Sequence, residues 1–227
     1  AILSVVLGIA IPWLFYGRIG LMVSVGVTAA VWVIAASLLD PIRSWRRAEG
    51  SARITPAVLG QAVAHFGVGL FILGVTVVSA YNVETDMSMR PGQTVEVADH
   101  SFELREIRPV EGPNYSAIEG VVEIRQDGDF VAEVRPQKRQ YLVQRNWMTE
   151  AGINVHWNKD LFIAMGDQLG NDTWSVRIQY KPMIRFIWLG CIVMALGGLI
   201  AVTDRRYRSP VTQRAGKKKG KAVAEPA

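Results

Sequence analysis

Hydrophobic residues are concentrated in four stretches of the chain, and these stretches predict membrane-spanning helices. A helix crosses the hydrocarbon core of a bilayer with about 20 largely apolar residues, because the core is about 30 Å thick and each residue rises about 1.5 Å. Backbone polar groups in lipid must be paired within their own segment, so helix is the expected state. Residues 19–39, 57–81 and 183–203 meet the length criterion, and residues 1–16 meet it in part.

The central stretch, residues 82–182, has a different pattern, in which hydrophobic and polar residues alternate over short runs. Alternation with a period of two is typical of strands that bury one face. Asp127-Gly128 separates two such runs and predicts a tight hairpin. Six or seven short strands predict an all-β domain, either a small sandwich or a barrel. The predicted strands are Thr94–Val97, Phe102–Ile107, Val121–Arg125, Phe130–Val134, Tyr141–Val143, Leu161–Ala164 and Trp174–Ile178.

Charge is distributed unevenly, and its distribution predicts the orientation of the chain in the membrane. The central stretch carries 16 acidic and 11 basic residues, whereas residues 204–227 carry eight basic and two acidic residues. Residues 40–55 carry four arginines and two acidic residues. Short basic segments beside membrane helices stay in the cytoplasm. We therefore predict a cytoplasmic loop at 40–55, a basic cytoplasmic tail at 204–227 and a β domain on the opposite side, and no nucleic-acid partner.

The first residue, Ala1, already lies inside an apolar run, and the chain has no initiator Met. A signal peptide would begin with a basic leader, which is missing here, so we expect the chain to continue a longer protein. The single cysteine, Cys191, lies in the last apolar stretch and cannot form a disulfide within the chain.

His65 is the residue of the membrane segments to which we assign chemistry. It lies about eight residues, or about 12 Å, into segment 57–81, where an ionisable side chain is costly unless it faces protein. Gln61 lies one turn earlier on the same face and is placed to orient the imidazole. A neutral imidazole in an apolar site is a ligand that haem iron takes. The alternative is a buried histidine hydrogen-bonded to a neighbouring helix, and the surrounding residues alone favour that alternative.

Small residues follow a regular spacing in the same segment. Gly60, Gly67 and Gly74 recur every seven residues. Small residues let either another helix or a flat ligand approach the backbone. We expect these glycines to line the slot that holds the imidazole.

Other polar residues give weaker indications. His100 and His156 are predicted to be surface residues of the β domain. No catalytic triad, phosphate-binding loop or cysteine–histidine metal cluster is present in the sequence at a useful spacing, so no catalytic residue is predicted. A basic run either meets the carboxylates of a ligand or forms a solvated face, and it consists of Arg135, Lys138, Arg139 and Arg145.

An ordered series of motifs in the second half of the chain resembles a known family. From about Val58 to Arg208 the chain resembles the C-terminal part of the CcmF family, which acts in bacterial cytochrome c maturation. The ordered set is far more specific than any one motif. The motifs are Pro113-Asn114-Tyr115-Ser116-Ala117, Pro136–Tyr141, Met148–Ala151, Asp160–Gly166, Trp174–Arg177, Lys181-Pro182 and Asp204–Arg208.

The resemblance implies a multi-pass protein of the bacterial inner membrane with its β domain in the periplasm. It implies a role in a haem lyase (holocytochrome c synthetase) complex that joins haem to apocytochrome c. The implied cofactor is haem b. The implied partners are haem, apocytochrome c, other cytochrome c maturation proteins and membrane lipid.

The resemblance also implies a role for one residue. One axial ligand of the family's haem b is a histidine on the helix before the periplasmic domain, and Ala64-His65-Phe66-Gly67 matches that position. His65 is therefore expected to be an axial ligand of haem iron. The family's tryptophan-rich signature and its second haem ligand have no counterpart here. The chain resembles the last third of the family, and alone it is not expected to be catalytic.

Two other functions are compatible with membrane helices and a β domain. In a non-haem membrane scaffold, the β domain would dock partner proteins and His65 would only pack helices. A transporter would need several ionisable groups inside the membrane. The polar residues that lie clearly inside the four segments are only His65, which is ionisable, and Gln61, which is not.

Overall fold

The computed structural model describes residues 1–17, 19–47 and 55–204, and its first part consists of three helices. Helices α2, α3 and α4 are long and apolar enough to cross a membrane, whereas α1, with 15 residues, is shorter. These helices confirm the apolar helices of the predicted fold class. The four helices are α1 (Ile2–Tyr16), α2 (Leu21–Arg47), α3 (Pro56–Tyr81) and, at the end of the described chain, α4 (Ile184–Val202).

Helix α2 is longer than the sequence pattern predicted. The predicted loop at 40–55 is wrong over its first half, because the helix continues to Arg47. Hydropathy marks where a helix leaves lipid, whereas the helix itself ends where backbone hydrogen bonding stops, and arginine is a good helix former. The rest of the predicted loop, residues 48–54, and the predicted tail from 205 to 227 lie outside the described residues.

The start of α3 is fixed by acceptors from two parts of the chain. The Thr55 hydroxyl accepts a hydrogen bond from the backbone N–H of Val58 at 3.4 Å. The carboxylate of Asp204, which follows α4, accepts one from the N–H of Ala57 at 3.0 Å. Oxygen acceptors at this position satisfy unpaired N–H groups and complement the helix dipole. The start of α3 and the end of α4 therefore lie at the same end of the helical layer.

The β domain between α3 and α4 contains ten antiparallel strands rather than six or seven. The additional strands lie at sheet edges or carry mostly polar side chains, so they lack the hydrophobic runs from which the other strands were predicted. The strands are β1 (Val83–Met89), β2 (Gln93–Val97), β3 (His100–Glu111), β4 (Tyr115–Gln126), β5 (Asp129–Val134), β6 (Gln137–Tyr141), β7 (Trp147–Glu150), β8 (Gly152–Val155), β9 (Lys159–Gly170) and β10 (Thr173–Pro182).

The strands form two sheets that face each other across one hydrophobic core. One sheet has the order β1-β10-β9-β8, and the other has the order β2-β3-β4-β6-β7 with β5 also paired to β4. Phe102 and Ile124 of the second sheet share the core with Leu161 and Ile178 of the first. The domain is thus a β-sandwich, which decides between the two predicted architectures.

Two local predictions have opposite outcomes. The hairpin at Asp127-Gly128 is confirmed, because both residues have positive φ, 52° and 89°, and connect β4 to β5. The predicted strand at Tyr141–Val143 is wrong, because β6 ends at Tyr141 and Val143 lies in a turn with 92% of its surface exposed. An exposed apolar residue in a turn has the same sequence pattern as the end of a strand.

The sandwich joins the helices through neighbouring strands. β1 follows α3 and β10 precedes α4, and Val83 pairs with Tyr180. Tyr16 at the end of α1 stacks on Tyr81 at the end of α3, with ring centroids 3.9 Å apart. The end of the helical layer opposite Asp204 therefore carries the sandwich.

Candidate functional site

His65 lies in α3, nine residues after Pro56 and about 14 Å along the helix axis from it. Its Nδ1 is 2.8 Å from the backbone carbonyl oxygen of Gln61. A carbonyl oxygen only accepts hydrogen bonds, so Nδ1 carries a proton, and in the neutral imidazole Nε2 keeps its lone pair. Gln61 therefore orients the imidazole, as predicted, but it does so through its main chain.

The imidazole borders a cavity of about 340 Å³ between α2 and α3. The Ser37 hydroxyl in its wall already donates to the carbonyl of Ile34 at 2.7 Å, so it does not compete for the imidazole. The side chains of His65 and Gln61 are exposed on the surface of the described helices. Besides these two residues, the lining consists of Trp32, Val33, Ala36 and Ser37 of α2 with Val58 and Ala62 of α3.

The glycine row does not line this cavity, and the predicted glycine-lined slot is wrong. A Cβ atom at Gly67 would lie 2.7 Å from the carbonyl oxygen of Gly190, and one at Gly60 would collide with the backbone of α4 near Gly197. At 100° per residue, His65 lies about 160° around the helix from Gly67 and about 140° from Gly60. The glycines therefore let α4 approach α3, and His65 faces the other way.

A haem group is held by a side chain that can ligate its iron, such as a histidine, and by an apolar surface for the ring. The free Nε2 of His65 and the apolar cavity walls meet these requirements for one axial position. Among residues 1–17, 19–47 and 55–204, no group of three or more His, Cys, Asp or Glu side chains is placed to hold a metal ion. In the described part of the chain, the site can thus supply a single ligand.

His100 does not lie on the surface, contrary to the prediction. It is 2% exposed at the start of β3, where Lys159 Nζ lies 2.9 Å from its Nε2. An ammonium group only donates, so Nε2 is unprotonated and the Nδ1 proton faces Asp99. Nδ1 is 2.6 Å from Asp99 Oδ1, in an arrangement too bent for a well-aligned hydrogen bond. Burial and then the charge of Lys159 lower the pKa of His100.

His156 has one ring nitrogen, Nε2, that is buried without a hydrogen-bond partner among the described residues. It lies in the turn between β8 and β9, and its charged form also disfavours protonation of His100. Both sandwich histidines lie far along the chain from His65.

Three of the four residues of the predicted basic run are paired with acidic side chains within the sandwich. Arg135 donates to Glu133 at 2.8 Å, and Lys138 forms an ion pair with Asp167. Arg139 lies 3.4 Å from Glu150. The guanidinium of Arg139 also lies over the ring of Tyr115, at 4.4 Å from its centroid. These contacts favour the solvated face over a site for carboxylates of a ligand.

Sequence inspection missed the α2 wall of the cavity. Trp32 is the only aromatic side chain between Leu21 and Leu39, and it lies exposed beside the cavity. A large aromatic residue inside a run of alanine and valine was an available signal. Its partner helix could not be read from the spacing, because α2 and α3 are separate segments.

Comparison with a family model and with individual proteins matches the chain to the same family. Residues 80–182 match the family described as CcmF C-terminal beta-sandwich. The chain is 36% identical over 204 residues to the cytochrome c-type biogenesis protein CcmF of Pseudomonas aeruginosa, covering 88% of this chain and 31% of that protein. It is 33% identical over 209 residues to CcmF of Escherichia coli, covering 92% and 32%. The chain spans about a third of the length of the curated relatives it matches.

A solved structure gives the same picture for the fold. The chain is similar to Cytochrome c Heme Lyase CcmF with a TM-score of 0.71 at 20% sequence identity, over 89% of this chain and 33% of that chain. At this identity the similarity shows a shared fold of helices and sandwich.

Proposed function

This chain belongs to the CcmF family of cytochrome c-type biogenesis proteins, and on that premise we propose that it provides a haem b ligand and a periplasmic domain to a haem lyase. In this proposal the ligand is His65. The lyase attaches haem to apocytochrome c together with other cytochrome c maturation proteins. The protein lies in the inner membrane of a bacterium.

The observation that carries the ligand assignment is the hydrogen bond from His65 Nδ1 to the carbonyl oxygen of Gln61. Metal-binding histidines commonly donate the proton of their second nitrogen to a backbone carbonyl or a carboxylate. This hydrogen bond fixes the orientation of the ring. The exposed imidazole does not pack α3 against α4. This observation weakens the alternative in which the protein is a non-haem scaffold and His65 only packs helices.

The proposed orientation rests on charge at the end of the helices away from the sandwich. Arg43 and Arg46 lie near the end of α2, and the described chain ends beyond α4 at Asp204, just before further basic residues. Basic residues at this end place it in the cytoplasm by the positive-inside rule. The sandwich, which joins the opposite ends of α3 and α4, then faces the periplasm.

The residues around the cavity would act by holding His65 in place and by surrounding the bound haem. The bound haem b would supply one-electron chemistry between ferric and ferrous iron. Gln61 holds the proton on Nδ1 and aims Nε2 at the cavity. Trp32 and Val33 offer apolar surface to a flat ring.

Replacement of His65 by Ala in the full-length protein tests the assignment. We expect the purified variant to lose the b-type band in reduced-minus-oxidised difference spectra and to lose haem in a pyridine haemochromogen assay. Gln61→Ala is the matched control, because it keeps the backbone carbonyl that accepts from Nδ1, and it should retain haem b. Unchanged haem b content in His65→Ala contradicts the assignment. A colourless wild-type protein would support the non-haem scaffold instead.

A further inference from the structure

The turn between β8 and β9 exposes apolar side chains at the end of the sandwich that joins the helices. Trp157, in this turn, has 74% of its surface exposed. Ile153 and Val155 of the preceding strand are also exposed, while Gly152 between the sheets is buried. The strand alternates, so these two side chains share one face of β8, which is an edge strand of its sheet.

The turn is held against the first turn of α4. The carbonyl of Asn158 accepts a hydrogen bond from the N–H of Met183 at 2.7 Å. The ring of Trp157 lies 6.5 Å from the ring of Phe186 in α4. Arg185 donates to Asp160 at 3.0 Å. The height of Trp157 relative to the membrane is therefore set by the height at which α4 begins.

The length of α4 fixes that height. The helix has 19 residues and is about 29 Å long, which is close to the thickness of the hydrocarbon core, about 30 Å. A helix of this length has no additional turn that extends beyond the hydrocarbon core. Its first residue, Ile184, must lie at the boundary between hydrocarbon and headgroups, and the attached turn lies in the headgroup layer.

We propose that the turn Val155–Asn158 inserts into the lipid headgroup layer and that Trp157 anchors the β-sandwich to the membrane surface. Tryptophan favours this layer, because its ring is apolar and its indole N–H needs a polar partner. Leu189, one turn after Phe186 on the same face of α4, is also exposed, so the apolar surface of the turn continues into that of the helix. Lipid is the occupant that this continuity indicates.

The anchor gives the sandwich a third attachment to the membrane. The other two are the chain connections from α3 to β1 and from β10 to α4, which lie side by side in one sheet. Both connections lie toward the β1 edge of the sheet, so they leave the β8 edge free to move away from the membrane. A contact at β8, two strands from β10, restricts that movement. The inference rests on α4 crossing the membrane, as proposed above, and is independent of haem ligation.

A fluorescent probe at position 157 tests the proposal. The probe is attached through Trp157→Cys in the full-length protein, after its native cysteines, Cys191 included, are replaced by serine. The protein is reconstituted into nanodiscs of phosphatidylcholine and phosphatidylglycerol. Quenching is measured with a nitroxide on the lipid headgroup and with iodide in water. The matched control is Trp147→Cys, another exposed tryptophan, located beside Asp167 and thus about 23 Å further along β9 than Asp160.

We expect the headgroup nitroxide to quench the probe at 157 several-fold more strongly than the probe at 147, and iodide to show the reverse order. Equal lipid quenching at the two positions overturns the proposal, because the turn then lies in water. Protection of position 157 from both quenchers also overturns it, because protein then covers the turn. Haem b content of Trp157→Cys should equal that of the wild type, so a negative result leaves the His65 assignment standing.

Discussion

The helical layer and the sandwich each contain a histidine with close polar contacts, but the two imidazoles use their nitrogens differently. His65 has one nitrogen held by its own helix and the other free beside an apolar cavity. His100 is almost fully buried, and its two nitrogens face Asp99 and Lys159. An imidazole whose Nε2 accepts from an ammonium group and whose Nδ1 carries the proton has no lone pair for iron. The comparison teaches that burial alone does not mark a candidate ligand, and that the proposed assignment of His65 rests on its free nitrogen beside an apolar wall.

The largest expected effect separates the two histidines by their spectra. His65→Gly should remove the b-type absorption, and added imidazole should restore it in part, because the small molecule can occupy the space left by the side chain. His100→Gln should keep the absorption, since this residue offers no free nitrogen. Difference spectra with and without imidazole measure both effects. Equal loss of haem in the two variants would mean that folding, and not ligation, governs the spectrum.

The next effect separates the two faces of α3. Gly67→Ala places a Cβ atom 2.7 Å from the carbonyl oxygen of Gly190, and such overpacking costs about 1–3 kcal/mol. Gly198→Ala is the control, because nothing lies within 4 Å of its Cβ position and alanine favours the helix by about 1 kcal/mol. Thermal unfolding of the purified protein should show a lower midpoint for the first variant only. If Gly67→Ala lost haem without a loss of stability, the glycines would line the proposed haem site and would not serve mainly to pack α4.

Much of the helical layer could be predicted from the sequence, because long apolar runs have one stable state in lipid. His65 was identified for the same reason: an ionisable side chain is conspicuous in such a run. The surroundings of His65 could not be predicted. A seven-residue glycine repeat defines one face of a helix, but it does not say whether a helix or a ligand meets that face, and here α4 meets it.

In the sandwich, the strands that supply the core could be predicted, whereas the exposed strands could not. Strands with large alternating side chains, such as Phe102–Ile107, were predicted because they supply the core. The polar strand β6 and the edge strands β1, β7 and β8 were missed. No side chain of β6 or β7 is buried, β8 has only four residues, and β1 alternates with mostly polar side chains. His100 was misplaced for a related reason. Its neighbour Asp99 suggests a surface turn, and only the tertiary fold brings the ammonium group of Lys159 to Nε2 of the imidazole, where Gln126 also accepts from it.

The smallest expected effect concerns the acid stability of the sandwich. Burial and the charge of Lys159 lower the pKa of His100 from 6.5, although Asp99 opposes the shift, and the ring of Tyr180 lies 6.1 Å away. The unfolded chain therefore binds a proton at this histidine before the folded chain does. Stability should be constant above about pH 6.5 and should decrease as the pH falls from there toward the lower pKa of the folded state.

Thermal midpoints between about pH 7 and pH 5 measure this decrease, and His100→Gln should make the curve flatter in that range. Carboxylates act at lower pH. The hydrogen bond from Arg177 lowers the pKa of Asp86 below 3.8, so the stability from this pair is lost only in stronger acid. Identical pH curves for the wild type and His100→Gln would show that Lys159 and Asp99 do not distinguish the charged imidazole from the neutral one. The contrast with His65 would then rest on the spectra alone.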